Sequence, residues 1–167
     1  MGVQTQVFLD FNPAVEGGVR NARMTRSRVA EVALNNGLLV SQGANDAGCK
    51  LPTSAADVGK AIGIAPYRPT STVGFPSTQT TEYAQGDNVG AVSQGQVWVR
   101  VEEAVAPFSP VYVRFAIDTG GSFTNVGTFR ASPDPVGGVA TAALLPNAAY
   151  LTTAAAGQLA LVEINLP

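Results

Sequence analysis

Residues 87–118 read DNVGAVSQGQVWVRVEEAVAPFSPVYVRFAID, and two segments within them alternate with a period of two. In the first, Val97, Val99 and Val101 face one way, and Trp98, Arg100 and Glu102 the other. In the second, Val111, Val113, Phe115 and Ile117 alternate with Tyr112, Arg114, Ala116 and Asp118. Successive side chains of an extended chain point to opposite faces, so this period, with its β-branched and aromatic content, predicts two half-buried strands. A short link bearing Ala and Pro joins them, and they are expected to pair. Trp98 and Tyr112 then share the face opposite the valines. Such a face is either covered by a second sheet layer or anchors a contact between subunits.

Working outward, the punctuation is that of many short strands. Val29–Leu34 and Leu38–Val40 flank Asn36-Gly37, a strong hairpin signal. Ser41–Lys50 reads as a polar loop, Val58–Ala65 as a strand stopped by Pro66, and Tyr67–Gln85, rich in Pro, Ser and Thr, as a long surface loop. A turn at Asp118–Ser122 precedes a short strand over Phe123–Arg130. The Ala-rich stretch 140–157 is interrupted by Pro146-Asn147 and is expected as short extended pieces. The chain closes on Leu159–Leu166, where Ala160, Val162, Ile164 and Leu166 share a face. The expected fold is all-β: a small barrel or sandwich of short strands with long loops and an extended N-terminal arm. The arm is assigned to residues 1–27 and the β domain to 28–167. The arm has a hydrophobic tip around Phe8 and Phe11 and then Arg20, Arg23, Arg26 and Arg28, which puts four of the ten basic residues within nine positions.

The chain has 167 residues, enough to bury a core without disulfides or metals. Charged residues make up only 13%, about half the usual ~25%. Either other chains cover much of the surface, because interface cores are poor in charge, or the chain is simply rich in small residues. The net charge of −2 gives no global field toward nucleic acid. The longest weakly apolar run, Val136–Leu145, is about half a membrane span, and no basic-then-apolar leader is evident. Met1-Gly2 opens like a myristoylation site, but Gln6 stands where Ser or Thr is needed. The expectation is a soluble, unprocessed product that contacts neither membrane nor nucleic acid.

Catalytic signals are sparse. There is no histidine, which removes Ser-His-Asp and Cys-His arrangements and imidazole metal sites. A single Cys49 permits no internal disulfide, and no phosphate-binding glycine loop occurs. Glu102 and Glu103, the only adjacent carboxylates, lie on opposite faces if the strand continues. Asp118-Thr119-Gly120 has the look of the half-site of dimeric aspartic proteases, though Asp-Thr-Gly-Gly-Ser is also what an ordinary turn requires. The expectation is no enzyme, no cofactor, no metal and no small-molecule substrate. The arginines are either solvated or set against acidic grooves of a neighbouring protein, where guanidinium groups form bidentate pairs.

A "G-x-V-W-V" strand, an acidic and Ala-rich link and then "P-V-Y-V-R" resemble the structural cement, or capsid decoration, proteins of tailed bacteriophages. Val58–Ala65 is similar to that family's "x-x-G-V-A" strand, and AYLTTAAAGQLALVEINLP at 149–167 to its closing segment. The likeness covers most of residues 29–167, with the segments in the family's order. It implies an all-β subunit, typically trimeric, made in the host cytoplasm and placed on the outside of the head, where it fastens major capsid subunits together. Phe8, Phe11, Arg20, Arg23, Arg26 and Arg28 are then expected to contact the shell, and Trp98 and Tyr112 a neighbouring copy. The alternative is a head-surface adhesion module that binds host glycans, with Trp98, Tyr112 or Tyr67 as stacking platforms; a peptidase built on Asp118 is a distant third.

Overall fold

The computed structural model describes residues 15–68, 83–117, 125–136 and 138–167. Asn88–Arg100 forms a thirteen-residue strand, and its alternation is the one the sequence shows, with Val97, Val99 and Val101 fully buried. Numbered in chain order, the strands are β1 (Val19–Ala30), β2 (Leu39–Gln42), β3 (Gly48–Lys50), β4 (Ala61–Ile64), β5 (Asn88–Arg100), β6 (Tyr112–Arg114), β7 (Phe129–Arg130), β8 (Pro135–Val136), β9 (Val139–Ala140), β10 (Ala142–Leu144), β11 (Ala148–Tyr150) and β12 (Leu159–Asn165). The one helical turn among the described residues, α1 (Ala55–Val58), is capped by the Ser54 side chain, which accepts from the Asp57 amide.

The main sheet has seven strands in the order β1-β3-β2-β4-β5-β12-β11, and β1 also pairs with β5. That extra pairing closes the first five into a barrel and leaves β12 and β11 as an extension. β5 is the hub. One edge runs antiparallel to β1 from Val97 to Asn88, while the other meets Ile64 of β4 at Val92 and then β12 from Gln94 to Arg100. Glycine permits two of the closest approaches. A Cβ at Gly63 would lie 2.4 Å from the Val92 oxygen, and Gly95, at φ 148°, would drive one to 2.2 Å from the Asn21 oxygen.

The core falls into two clusters. Ala30, Leu34, Val40, Cys49, Ile62, Ala65, Tyr83, Val89 and Ala91 form the smaller. The larger joins Leu39, Val58, Ile64, Val97 and Val99 to Val111, Val113, Phe129, Tyr150, Val162 and Ile164, tying the barrel to a second sheet of order β10-β6-β7.

All-β architecture is thus read correctly from the alternation, but three local expectations change. The two opening strands do not pair: β5 belongs to the barrel and β6 to the three-stranded sheet. A long-range partner wins over the neighbour in sequence because β12 offers β5 seven registered positions. Nor do 29–34 and 38–40 form a hairpin. β1 ends at Ala30, Leu34 makes only a bridge to Tyr83, and β2 pairs with β3 and β4. Glu31 accounts for the departure, since its carboxylate accepts from the Ala44 and Asn45 amides, both at 2.9 Å. Finally, 58–65 splits into α1 and β4. The 27/28 boundary between arm and domain falls within β1.

Candidate functional site

β1 carries the arginine cluster. Its residues 19–25 are exposed on both faces, and among the described residues β5 is the strand that supports this half. β3 reaches it only at Val29 and Ala30. Among the described residues, no strand pairs with the outer edge of β1 between Val19 and Arg28. Arg20 and Arg23 are exposed, while Arg26 and Arg28 are half-buried. Arg26 donates to the carbonyl of Pro167, and Arg28 donates through Nη1 to the Ser27 carbonyl at 3.0 Å. The buried Nε of Arg28 has no hydrogen-bond partner among the described residues.

None of the four pairs with an Asp or Glu side chain among the described residues. Five of the other six cations do: Lys50 with Asp57, Arg68 with Asp87, Arg100 with Glu16, and Arg114 and Arg130 within one buried cluster. Lys60 is the exception. No acidic residue occurs between positions 17 and 30, and the rest of the chain carries six surplus negative charges. Among the described residues, β1 is therefore a positive strand without a paired Asp or Glu, on an acidic protein. Val19, Met24 and Val29 add exposed apolar surface at 42%, 42% and 44%. Arg23 also lines a shallow groove with Gln94, Asn147, Glu163 and Asn165.

Trp98 and Tyr112 are both half-buried but lie in different sheets. Trp98 sits beside the Val15–Gly18 turn, and its backbone exchanges hydrogen bonds with Gly17 and Gly18. Tyr112 stands on β6 between Leu144 and Arg130. The two rings do not share a strand pair. Phe8, Phe11 and the Asp118-Thr119-Gly120 motif lie outside the described residues, as does most of the Tyr67–Gln85 loop.

What the sequence reading missed is a buried ion network. The strand stops at Arg100, so Glu102 and Glu103 do not diverge; both carboxylates reach Arg130. Glu102 receives Arg114 Nε and Nη2, each at 2.7 Å, Arg130 Nη1 at 3.0 Å, and the Thr128 hydroxyl. Asp134 receives Arg114 and Arg130, the latter at 2.7 Å. Glu103 accepts from the Ala131 amide and the Ser132 hydroxyl, both at 2.8 Å. Thr141 accepts from Arg114 Nη1, and the Tyr150 hydroxyl donates to the Arg130 carbonyl.

Burial works against the charge of Arg114, but hydrogen bonds to Glu102 and Asp134 prevail and raise its pKa. The Arg114 hydrogen bond in turn holds the Asp134 carboxyl below its ordinary range. Burial pushes the Tyr150 phenol up, with the charges of Glu103 and Glu102 adding to the effect. These carboxylates are all committed to guanidinium groups. The arrangement braces β6, β7 and the link after β5 against one another, and it offers neither a free base nor a free acid. A lone arginine between Val113 and Phe115 was the available signal, because a buried guanidinium requires buried acids.

Among the described residues, no three His, Cys, Asp or Glu side chains are grouped to hold a metal, and no helix is long and apolar enough to cross a membrane. No curated protein matches the chain. A solved structure titled "The capsid of Myoviridae Phage XM1" contains a chain of similar fold, with TM-score 0.64 and 20% identity over 99% of this chain and 98% of that one. At that identity the likeness is one of fold. Residues 3–165 match the family model described as structural cement protein (E217 gp24/Pam3 gp6). The match spans the barrel, the arginine strand and the buried ion network alike, and the chain belongs to the structural cement protein family.

Proposed function

We propose that this virion structural protein binds the outer surface of the phage head and cements neighbouring major capsid subunits, acting as a trimer. The observation that carries the reading is β1, a strand whose residues 19–25 are exposed on both faces and whose four arginines pair with no Asp or Glu among the described residues. On an acidic chain such a strand favours a partner that supplies carboxylates, and exposed guanidinium forks suit bidentate pairing. Low charge elsewhere agrees with a surface made for close contact. A closed threefold assembly multiplies modest contacts through effective concentration. Half-exposed Trp98 and Tyr112 are proposed at the contact between copies, and Phe8 and Phe11 on the shell side with the arginines. The adhesion reading is less favoured, because Trp98 and Tyr112 stand on separate sheets and form no joint platform.

The test is sedimentation of the purified chain with expanded heads that lack it. Saturable binding that weakens with salt is expected; heads that stay bare at every salt concentration would reject the reading.

A further inference from the structure

The link between β5 and β6 makes a turn over Ala106-Pro107-Phe108-Ser109. The Ser109 amide donates to the Ala106 carbonyl at 3.1 Å, which closes the turn. Pro107 occupies its second position and Phe108 its third, at φ 63°. Proline second and a positive φ third is the type II pattern, in which the third position is the place for glycine because a Cβ is strained there. Phenylalanine is among the residues least suited to it.

The strained residue gains nothing from the core. Phe108 is 84% exposed, the highest value among the large apolar residues described. Nor is the turn loose. The Phe108 amide donates to the Tyr150 carbonyl at 2.9 Å, the Ala106 amide donates to the Ser109 hydroxyl at 3.3 Å, and Val105 and Ala154 bridge just before it. Pro107 and Pro110 stiffen both flanks. A rigid mount thus presents an aromatic ring to solvent in a conformation that disfavours it. A strained residue held in place by its surroundings is a mark of function, and an exposed aromatic on a preorganised loop is the form of a binding anchor.

We infer that Phe108 is a shell anchor, which inserts its ring into an apolar socket on a major capsid subunit. The occupant follows from the capsid-binding reading rather than from a second copy: two concave sites on the described surface, one around Arg23 and Glu163 and one around Glu16 and Arg100, carry charged and amide groups that suit a phenyl ring poorly. A glycan does not fit either. Residues 104–113 are uncharged and offer only the Ser109 and Tyr112 hydroxyls, the first of which already accepts from the Ala106 amide, so the stretch has no carboxylate or amide side chain to orient sugar hydroxyls. This inference rests on the capsid-binding reading and adds to it a second, apolar contact on a different segment from β1.

Phe108→Gly is the informative variant, because glycine suits the backbone and removes the ring. Phe108→Ala serves as the companion that removes the ring and keeps a Cβ. Melting temperature, solution mass and affinity for heads lacking the protein are measured for both and for the wild type. Phe108→Gly is expected to melt no lower than the wild type and to keep its mass. Both variants are expected to lose about tenfold or more in head affinity. Wild-type affinity in Phe108→Gly would overturn the inference alone, and a wild type that ignores heads would overturn it together with the cement reading. A fall in solution mass would assign the ring to a second copy instead. A marked fall in melting temperature would show that the ring packs within the fold, and either result overturns the anchor.

Discussion

Arg114 holds Glu102 in a fork, with Nε on one carboxylate oxygen and Nη2 on the other, both at 2.7 Å, and the arginine side chain is fully buried. Fork-to-fork geometry fixes direction as well as distance, so this pair sets the angle at which β6 meets the link leaving β5. Replacing a buried pair by apolar residues is often neutral, whereas removing one partner strands the other. Arg114→Met is therefore expected to lose about 3–5 kcal/mol. Arg114→Lys is expected to recover little of that, because one ammonium cannot occupy both oxygens. Urea unfolding checks both variants; a loss below about 1 kcal/mol for Arg114→Met would mean that Arg130 alone satisfies Glu102.

Acid is expected to act on particular carboxylates. The Thr53 amide, with help from the Thr53 hydroxyl and Lys50, holds Asp57 down at about 2. Arg114 lowers Asp134, and the amides of Ala44 and Asn45 lower Glu31. A carboxyl whose pKa is depressed in the folded state contributes its full stability above the unfolded pKa of about 4 and loses it as pH falls through the folded value. Stability is expected to decline from about pH 4 toward pH 2. With no histidine in the chain, no imidazole titrates between pH 5 and 8. Asp57→Asn should flatten the acid limb while leaving its lower end in place, as melting curves across pH will show.

The sequence made the class of fold legible through elements that alternate over much of their length. β5 buries Val97 and Val99, and β12 Val162 and Ile164, where the period places them, because a strand with one face on a core cannot slip by one residue; Val92 and Leu161 are buried out of phase as well. Pairing was not legible. β5 takes β1, β4 and β12 rather than β6, and nothing local in 101–111 says that the chain leaves one sheet for another. The arginines on β1 were visible as a cluster, but whether an Asp or Glu pairs with them depends on where the acids fall in space. The Glu102–Arg114 fork and the turn at Phe108 were both inside the stretch first read. They went unrecognised because burial of an ion and the sign of a φ angle are tertiary facts.

The seam between β1 and β5 has one intolerant position. Gly95 sits where the register shifts between Ala22 and Met24, and a Cβ there would meet the Asn21 carbonyl. Gly95→Ala is expected to destabilise by about 1–3 kcal/mol, the range for overpacking plus a strained φ. Proteolysis should then cut within residues 19–28 before the rest of the chain. A variant as resistant as the wild type would show that β1 can shift without leaving β5.

The role of β1 in docking is best tested by charge, because truncation removes structure as well. Deleting residues 1–27 would strip the partner from one edge of β5 between Gly90 and Val97, so a loss of head binding could reflect a damaged barrel. Arg20 and Arg23 are exposed and make no ion pair among the described residues, and surface substitutions of that kind move stability by no more than about 0.5 kcal/mol. The double change Arg20→Glu and Arg23→Glu is therefore expected to keep the wild-type melting temperature. It should also weaken binding to heads at low salt and reduce the dependence of affinity on ionic strength, since the screened attraction is what has been removed. Unchanged binding together with an unchanged salt dependence would mean that these arginines face solvent on the assembled head and that apolar contacts hold the protein there.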